Sequence, residues 1–296
     1  MAKGIRKRKE KRMIKDLKFL IADIDGTLVN EPREMMDLTK KVLKDLHERG
    51  VYLGIASGRP LGPQIFSMAK NEWGLDFDFE CFIGMNGGQL RDAIHGTTSE
   101  FYKLTPDLIK EIIGLMKASG FACNPFLYIG EDMLSEKVDE MMYASMKRHH
   151  INCSVVSDLS EFWKEDTAKL LFRLDNASDM PLLEEYLEQH KSEKFAFFKT
   201  QPTMMEFQDR RVSKAVAMHA FANDNNIDND TIMAFGDMTN DNEMLKEAGW
   251  SVCLLNGSDD TKACANVITD YDNDHDGFGH YMMDHWYKPN GWKIPE

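Results

Sequence analysis

The sequence predicts an α/β protein, in which a core built on a parallel sheet is interrupted by an inserted α+β segment. Near both ends of the chain, apolar strand-like runs alternate with amphipathic helical segments, the pattern of right-handed β-α-β units. In the middle of the chain this alternation stops. A length of 296 residues with 43% hydrophobic content is sufficient for two domains with real cores.

The first half of the core is predicted from three strands and the helices between them. Residues 17–23 are almost all apolar, as expected for a strand buried on both faces of a parallel sheet. A helix is predicted over 34–49, where apolar residues recur at helical spacing and Gly50 follows the last turn. Residues 51–57 and 80–87 predict the next two strands, with a helix between them.

The insertion is predicted over residues 91–199. Two strand-like runs, TAKLLFRLD and KFAFFKT, mix there with three amphipathic segments typical of helices, at 105–118, 136–149 and 178–190. The alternation of strand and helix returns afterwards in TMMEFQ, TIMAFGD, SVCLL and NVIT. We therefore predict a discontinuous core over 17–90 and 200–290, preceded by a basic, flexible leader over 1–16.

Charge and composition narrow the classes of partner. The formal charge is −13, and residues 1–18 hold nine basic groups against two acids, which leaves 27 basic and 47 acidic groups, or −20, on the remainder. Such an acidic body repels polyanions, so nucleic acid is not expected as the main partner. The leader is read as a solvated terminus, with contact to RNA or an anionic surface as the alternative.

Membrane, disulfide and zinc signals are missing from the sequence. No run approaches the roughly 18 apolar residues of a spanning helix, and the lysine-rich start lacks a signal-peptide core, so a cytoplasmic protein is expected. The five cysteines form no C-x-x-C pair and leave an odd one over. They predict neither a disulfide framework nor a structural zinc site.

Two aspartates end the first predicted strand, in the run FLIADIDGTL. Asp23 and Asp25 point the same way if the strand remains extended, at the carboxyl end where open α/β sheets bind ligands. Two carboxylates so close repel each other, and a cation or a shared proton relieves the repulsion. Gly26 permits a sharp turn and Thr27 supplies a hydroxyl beside the site.

Three further clusters follow other predicted elements. Ser57 and Gly58, in the run SGR, end the second strand and open a helix, where a hydroxyl and free N–H groups can hold an anion. Lys214 at the start of a later helix offers a fixed positive charge. The run GDMTND after the TIMAF strand contributes two acids and an amide, Asp237, Asp241 and Asn240. A few oxygen ligands beside a phosphate are what Mg²⁺ prefers.

The motifs D-x-D-G-T, S-G-R, a later lysine and G-D-x-x-N-D, in that order, resemble the four motifs of the haloacid dehalogenase superfamily. The insertion after the third strand and the ending VITDYDNDHDGFGHYM resemble the Cof-type phosphatase branch with a type IIB cap domain. The resemblance implies a Rossmann-like parallel sheet core, with 91–199 as an α+β cap that closes over the site. It implies a Mg²⁺-dependent phosphatase of small phosphate esters, most simply sugar phosphates.

The resemblance also implies a role for each matching residue. Asp23 would be the nucleophile that forms an aspartyl-phosphate, and Asp25 the general acid and base. Magnesium would be held by the Asp23 and Asp237 carboxylates and the Asp25 backbone carbonyl, with Asp241 nearby. The residues implied in phosphate or substrate binding are Gly26, Thr27, Ser57, Gly58, Lys214 and Asn240.

Some residues depart from the family pattern, and one run resembles a different motif. Ala215 and Leu255 stand where glycine is frequent, and Met238 where a small residue is common, which leaves the shape of the site less defined. The run DNDHDG at 272–277 imitates the start of an EF-hand. The loop position that needs a glutamate is Met283, so we reject calcium and interpret the run as an acidic loop near the rim of the site.

Three alternative functions are distinguishable. A phosphomutase of the phosphomannomutase type resembles the chain in nucleophile, acid and cap. A receiver domain also combines acids, magnesium and lysine, but it is about half this size and has no inserted cap. The third alternative is a non-catalytic protein that binds a phosphorylated ligand, which the presence of both Asp23 and Asp25 disfavours. Flavin mononucleotide and pyridoxal phosphate stay open as substrates, and the sequence does not indicate an oligomeric state.

Overall fold

The computed structural model describes residues 14–130, 132–149 and 152–294. The basic leader predicted over 1–16 therefore lies, up to residue 13, outside the described residues. The chain divides into two compact units, of which the first comprises the residues up to Ser99 and those from Ser213, and the second comprises Glu100–Val212. Within the described ranges, no helix is long and apolar enough to cross a membrane.

The first unit contains a sheet of eight strands in the order β14-β13-β12-β1-β2-β3-β4-β5. The six strands from β14 to β3 are parallel, and β4 is antiparallel to β3. The strands are β1 Phe19–Asp23, β2 Tyr52–Ala56, β3 Cys81–Gly84, β4 Gln89–Asp92, β5 Thr97–Glu100, β12 Ile232–Gly236, β13 Trp250–Cys253 and β14 Val267–Ile268. This architecture confirms the predicted α/β class with a parallel sheet.

Helices alternate with the parallel strands of this unit. They are α1 Asp37–Glu48, α2 Pro63–Asn71, α6 Lys214–Asp224, α7 Asn242–Glu247, α8 Asp259–Cys264 and α9 Gly277–Tyr281, the last continued by a π-helical segment Met282–Tyr287. The predicted helix over 34–49 begins three residues later than expected, at Asp37. Gly50 follows α1 with φ of 77°, the left-handed conformation that favours glycine after a helix.

Strand β1 is the centre of this sheet because both of its neighbours pair with it along most of its length. Leu20 aligns with Leu53 of β2 and with Met233 of β12. All five residues of β1 are buried, including Asp23 at its end. The apolar run of the sequence thus corresponds to a strand covered on both faces, and its carboxyl end is held in place by two neighbouring strands.

The second unit is α+β. Its sheet has six strands in the order β10-β11-β9-β6-β7-β8, antiparallel throughout except for the pair of β7 and β8. The elements are α3 Pro106–Ala118, β6 Cys123–Ile129, β7 Asp132–Ser135, α4 Glu140–His149, β8 Cys153–Val155, β9 Lys169–Leu174, α5 Met180–Gln189, β10 Phe195–Gln201 and β11 Met204–Asp209. Apolar residues of α3, α5 and the strands form a separate core.

The borders between the units differ from the sequence expectation, which placed them at 90/91 and 199/200. Residues 91–99 belong to the first unit because the hairpin of β4 and β5 extends its sheet. Residues 200–212 belong to the second unit because β11, the run MMEFQD, pairs with both β9 and β10. Residue composition did not indicate which sheet either hairpin would join.

Helix α1 is capped by a residue from the far end of the chain. Its N-cap residue, Met36, offers no side-chain acceptor. Instead the Asp276 carboxylate accepts hydrogen bonds from the Thr39 hydroxyl at 2.5 Å and from the backbone N–H of Leu38 at 3.1 Å. Asp276 is buried and adopts φ of 57°, a conformation that aspartate tolerates better than most residues. The negative charge also favours the positive end of the helix dipole.

We expect Asp276→Ala to lower the free energy of unfolding by about 2 kcal/mol, because it leaves buried donors at the start of α1 without an acceptor. Urea denaturation measures the change. Asp274→Ala is the matched control from the same loop, since the Asp274 carboxylate accepts an exposed bond from the Glu31 N–H. Equal losses in the two variants would show that Asp276 does not hold the helix.

Candidate active site at the carboxyl edge of the first sheet

The predicted site residues follow the carboxyl ends of neighbouring strands. Asp23 is the last residue of β1, Ser57 comes directly after β2, and Asp237 comes directly after β12. Since β1 pairs in parallel with both β2 and β12, these residues emerge at one edge of the sheet. That edge is where open α/β sheets bind ligands.

Lys214 lies between two carboxylates at the centre of this edge. Its ammonium group donates a hydrogen bond to Asp23 and another to Asp241, the latter at 2.6 Å. The Lys214 and Asp241 side chains are both fully buried. The second carboxylate oxygen of Asp241 accepts the backbone N–H groups of Asp237 and Met238, at 3.0 and 3.1 Å. The lysine thus links β1 to the loop after β12.

Asp237 is held close to the loop that follows β1. The Thr27 hydroxyl donates to its carboxylate at 2.9 Å. Gly26, with φ of 85°, lies directly against the same carboxylate, and a Cβ atom at this position would collide with it. Glycine is therefore required at position 26 both for its backbone conformation and for the close approach of Asp237.

Three carboxylates of this site could hold a cation. One oxygen from each of Asp23, Asp237 and Asp241 lies within 4.8 Å of the others, and all three residues are buried. Three carboxylates against the one ammonium of Lys214 give this cluster a formal charge of −2. A divalent cation would neutralise it, and carboxylate oxygens are the ligands that Mg²⁺ prefers. The donor set therefore fits the predicted metal.

The pKa values of Asp237, Asp23 and Lys214 are all shifted by burial and by the neighbouring charges. Burial, followed by repulsion from Asp241, raises the pKa of Asp237 to about 7. Burial also raises the pKa of Asp23, although the neighbouring Lys214 opposes the shift. Burial alone would lower the pKa of Lys214, but the charges of Asp23 and Asp241 outweigh it and raise that pKa. The lysine remains charged, and the acids lack a full complement of positive charge.

Asp25 lies apart from the buried carboxylates. Its side chain is exposed and accepts hydrogen bonds from the Arg59 guanidinium at 2.6 and 2.8 Å, with Arg33 at 3.8 Å. Among the described residues, the carboxylates grouped as a cation site do not include it. The two side chains were expected to point the same way if the strand remained extended, but the strand ends at Asp23 and the two acids have different neighbours. A role for the Asp25 backbone carbonyl stays a prediction.

Ser57, Gly58 and Asn240 are connected through a residue that was not predicted to be in the site, Asn86. The Asn240 side chain donates to the Asn86 side-chain oxygen at 3.1 Å, and the Asn86 N–H donates to the Ser57 carbonyl at 3.1 Å. A Cβ atom on Gly58 would lie 3.0 Å from the Asn86 oxygen. The Ser57 hydroxyl accepts the Arg59 N–H at 3.2 Å. Asn86 thus joins two of the predicted phosphate-binding loops.

Asn86 belongs to a strained turn that follows β3. Met85, Asn86 and Gly87 all have positive φ, at 50°, 56° and 103°. A Cβ atom on Gly87 would collide with the backbone carbonyl of Ser213, the residue that precedes Lys214. Left-handed conformations in consecutive residues persist only where the surrounding structure enforces them, and they cluster at functional sites.

Two residues of the site, Arg59 and Asn86, were not predicted from the sequence. Arg59 is the third residue of the S-G-R run, and Asn86 starts an N-G-G run at the end of the third predicted strand. The signal for Asn86 was the N-G dipeptide, since asparagine and glycine both tolerate positive φ. No sequence signal indicated that Arg59 would pair with Asp25.

Comparisons with known proteins agree with the fold and the motifs. A family model described as haloacid dehalogenase-like hydrolase matches residues 20–282. The chain is 25% identical over 279 residues to the 5-amino-6-(5-phospho-D-ribitylamino)uracil phosphatase YitU of Bacillus subtilis, with 90% of this chain and 97% of that protein covered.

Solved structures resemble the chain over nearly its whole length. The structure of TM0651 from Thermotoga maritima is 26% identical with a TM-score of 0.73, covering 90% of this chain and 97% of that one. The sugar phosphatase BT4131, of HAD subclass IIB, is 20% identical with a TM-score of 0.72, covering 90% and 98%. The second likeness concerns the fold alone.

We expect Asp237→Asn to stabilise the metal-free protein more at about pH 8 than at about pH 5. In the folded state Asp237 has a pKa of about 7, well above the ordinary aspartate pKa of 3.8. The folded protein therefore binds more protons between these values, and its stability falls as pH rises through them. Asparagine has no charge and keeps the oxygen that accepts from Thr27. The stabilisation by Asp237→Asn should therefore be larger at about pH 8 than at about pH 5 by on the order of 1–3 kcal/mol.

Urea unfolding in the presence of a chelator, at both pH values, measures this gain. Asp224→Asn removes an exposed carboxylate at the end of α6, in the same unit, and controls for the loss of a surface charge. A gain that is equal at the two pH values, or a loss at the higher one, would contradict the proposed ionisation of Asp237.

Proposed function

The chain belongs to the haloacid dehalogenase-like hydrolases, and from this membership we propose that it is a Mg²⁺-dependent phosphatase of small phosphorylated metabolites that works through an aspartyl-phosphate. The observation that carries the proposal is the buried cluster of Asp23, Lys214, Asp241 and Asp237. It combines an acid suited to nucleophilic attack, a fixed cation and a set of oxygen donors for a metal.

The proposed first step transfers the phosphoryl group to Asp23. A carboxylate oxygen of Asp23 attacks phosphorus, the bond from phosphorus to the ester oxygen breaks, and the leaving oxygen takes a proton from Asp25. Asp25 suits this task because its side chain is exposed two residues beyond the nucleophile. The Lys214 ammonium, already bonded to Asp23, neutralises charge on the transferring oxygens.

The second step returns the enzyme to its starting state. Water gives a proton to Asp25 and attacks phosphorus, the acyl phosphate bond breaks, and inorganic phosphate leaves with Asp23 restored as a carboxylate. The side chains of Asp23, Asp237 and Asp241 would hold or surround Mg²⁺. When bound, the ion neutralises charge on the phosphoryl oxygens. Ser57 and Asn240 would bind the same oxygens from the loops joined by Asn86.

The substrate class is proposed from the same family relation. The similar phosphatase of B. subtilis is named for a phospho-ribityl compound, which is a phosphate ester on a polyhydroxylated carbon chain. We therefore propose sugar phosphates or phosphorylated sugar alcohols as substrates, with flavin mononucleotide and pyridoxal phosphate as further candidates.

With p-nitrophenyl phosphate and Mg²⁺, the wild-type protein is expected to release nitrophenol, and Asp23→Asn to be slower by at least about 1000-fold. The amide is a poor nucleophile of nearly the same shape. A chelator should abolish the wild-type rate and Mg²⁺ should restore it. Asp270→Asn, far more exposed, should keep the wild-type rate. Equal rates for wild type and Asp23→Asn would end the proposal.

Across a panel of phosphate esters, we expect a sugar or sugar-alcohol phosphate to have a kcat/KM at least about tenfold above that of p-nitrophenyl phosphate. Contacts to the remote part of a true substrate add to transition-state stabilisation. Phosphate release is measured together with the sugar product. Formation of an isomeric sugar phosphate without inorganic phosphate would indicate a mutase and contradict the hydrolytic assignment.

A further inference from the structure

A loop near the end of the chain, residues 272–277, lies against the loop that follows β1. We call the first the closing loop and the second, residues 24–36, the nucleophile loop. Two hydrogen bonds join them directly, from the Asn273 side chain to the Val29 carbonyl at 3.0 Å and from the Glu31 N–H to Asp274 at 2.8 Å. The joined residues are more than 240 positions apart in the chain.

Asn256 adds an indirect link between the two loops. Its side-chain N–H donates to the Gly26 carbonyl at 2.9 Å, and its side-chain oxygen accepts the backbone N–H of Asn273 at 3.1 Å. Asn256 therefore uses both ends of its amide, one on each loop. The Asn273 side chain is buried, whereas Asn256 is exposed.

The carboxylates of the closing loop are used as acceptors of protein hydrogen bonds. Asp272 accepts from the backbone and ring nitrogens of His275, at 3.0 and 2.6 Å, and Asp276 accepts from the start of α1. Asp274 accepts from the nucleophile loop. The run DNDHDG, which imitates an EF-hand in sequence, thus has a different use in the fold.

The Gly26 carbonyl, which accepts from Asn256, lies in the chain between Asp25 and Thr27. As glycine, residue 26 has the greatest backbone freedom of any residue. Holding the Gly26 carbonyl fixes the plane of the peptide that leads into Thr27, whose hydroxyl bonds Asp237. It also limits rotation on the other side of Gly26, where Asp25 must meet the leaving group.

We propose that Asn256 and Asn273 are positioning residues, which hold the nucleophile loop in the conformation that places Asp25 and Thr27 for the reaction. The inference rests on the proposed phosphatase function. Neither residue need touch substrate, because each acts through a backbone carbonyl of the loop, at Gly26 and Val29. Displacements of about 1 Å in such a site reduce rates by about 100-fold, so the loss of either bond affects the chemical step.

Three variants test the proposal against a matched control. Asn256→Ala removes both bonds of that amide, and Asn256→Asp keeps an acceptor for Asn273 but loses the donor to Gly26. Asn273→Ala removes the bond to Val29. The control is Asn290→Ala, since the Asn290 side chain also donates to a backbone carbonyl, that of Trp286 at 2.7 Å, away from both loops.

Two measurements are made on each variant. We expect kcat to fall by about 10-fold to 100-fold in the three test variants, with KM nearly unchanged. Losses of this size are typical of residues that orient the groups in contact with the ligand without touching it themselves. Amide hydrogen exchange of residues 24–30 should become faster, while the exchange of β1 and β12 stays at the wild-type rate. Asn290→Ala should move neither quantity.

The inference fails if kcat matches that of Asn290→Ala, or if exchange in the nucleophile loop is unchanged. Either result in an active wild-type protein leaves the phosphatase function intact. If the wild-type protein hydrolyses no phosphate ester, the proposed function fails. The exchange measurement then decides whether the two asparagines hold the loop.

Discussion

A buried lysine bonded to two buried aspartates is the interaction on which the site depends. Lys214 is the first residue of α6, and its fully buried ammonium is stabilised by Asp23 on the central strand and by Asp241 after β12. Loss of the lysine would leave both buried acids without their counter-charge, which is strongly destabilising. The lysine therefore constrains where three separate segments of the chain can lie, and the arrangement of the candidate site at this edge of the sheet follows from that constraint.

The buried cluster and the exposed Asp25 lie in different surroundings, which suit the two tasks of a phosphatase, attack on phosphorus and transfer of a proton. Asp23 faces a fixed cation and two other carboxylates, an environment suited to binding a metal and a phosphoryl group. Asp25 is exposed beside Arg59 and Arg33, where a leaving group and water can reach it. A single glycine with positive φ follows Asp25 and turns the chain. Two acids only two positions apart therefore have different neighbours, because one ends the strand and the other begins the loop.

The sequence was sufficient to predict the parallel α/β core, because strands buried on both faces read as apolar runs whose ends carry the polar residues. It was also sufficient to bring Asp23, Lys214, Asp237 and Asp241 together as candidates, since each follows or starts a recognisable element. Sequence did not indicate that β11 would pair with β9, since its alternating run suits either sheet. The pairing of Asp25 with Arg59 and the contacts of Asn256 were equally hidden, because they depend on loop conformations set by residues over 30 and over 200 positions away.

Close approaches of backbone explain why the site is built on loops with glycine and left-handed residues. The absence of a Cβ atom allows the Asp237 carboxylate to lie against Gly26 and the Ser213 carbonyl to lie against Gly87. A side chain at position 26 would displace the Asp237 carboxylate, and one at position 87 would displace the backbone that leads into Lys214. The turn over 85–87 is also strained, and two hydrogen bonds connect it to the loops after β2 and β12: Asn86 donates its N–H to Ser57 and accepts the Asn240 side-chain N–H. Contacts among loops thus add to those of β1 and α6 in holding this edge together, and the unusual backbone conformations allow those contacts to form.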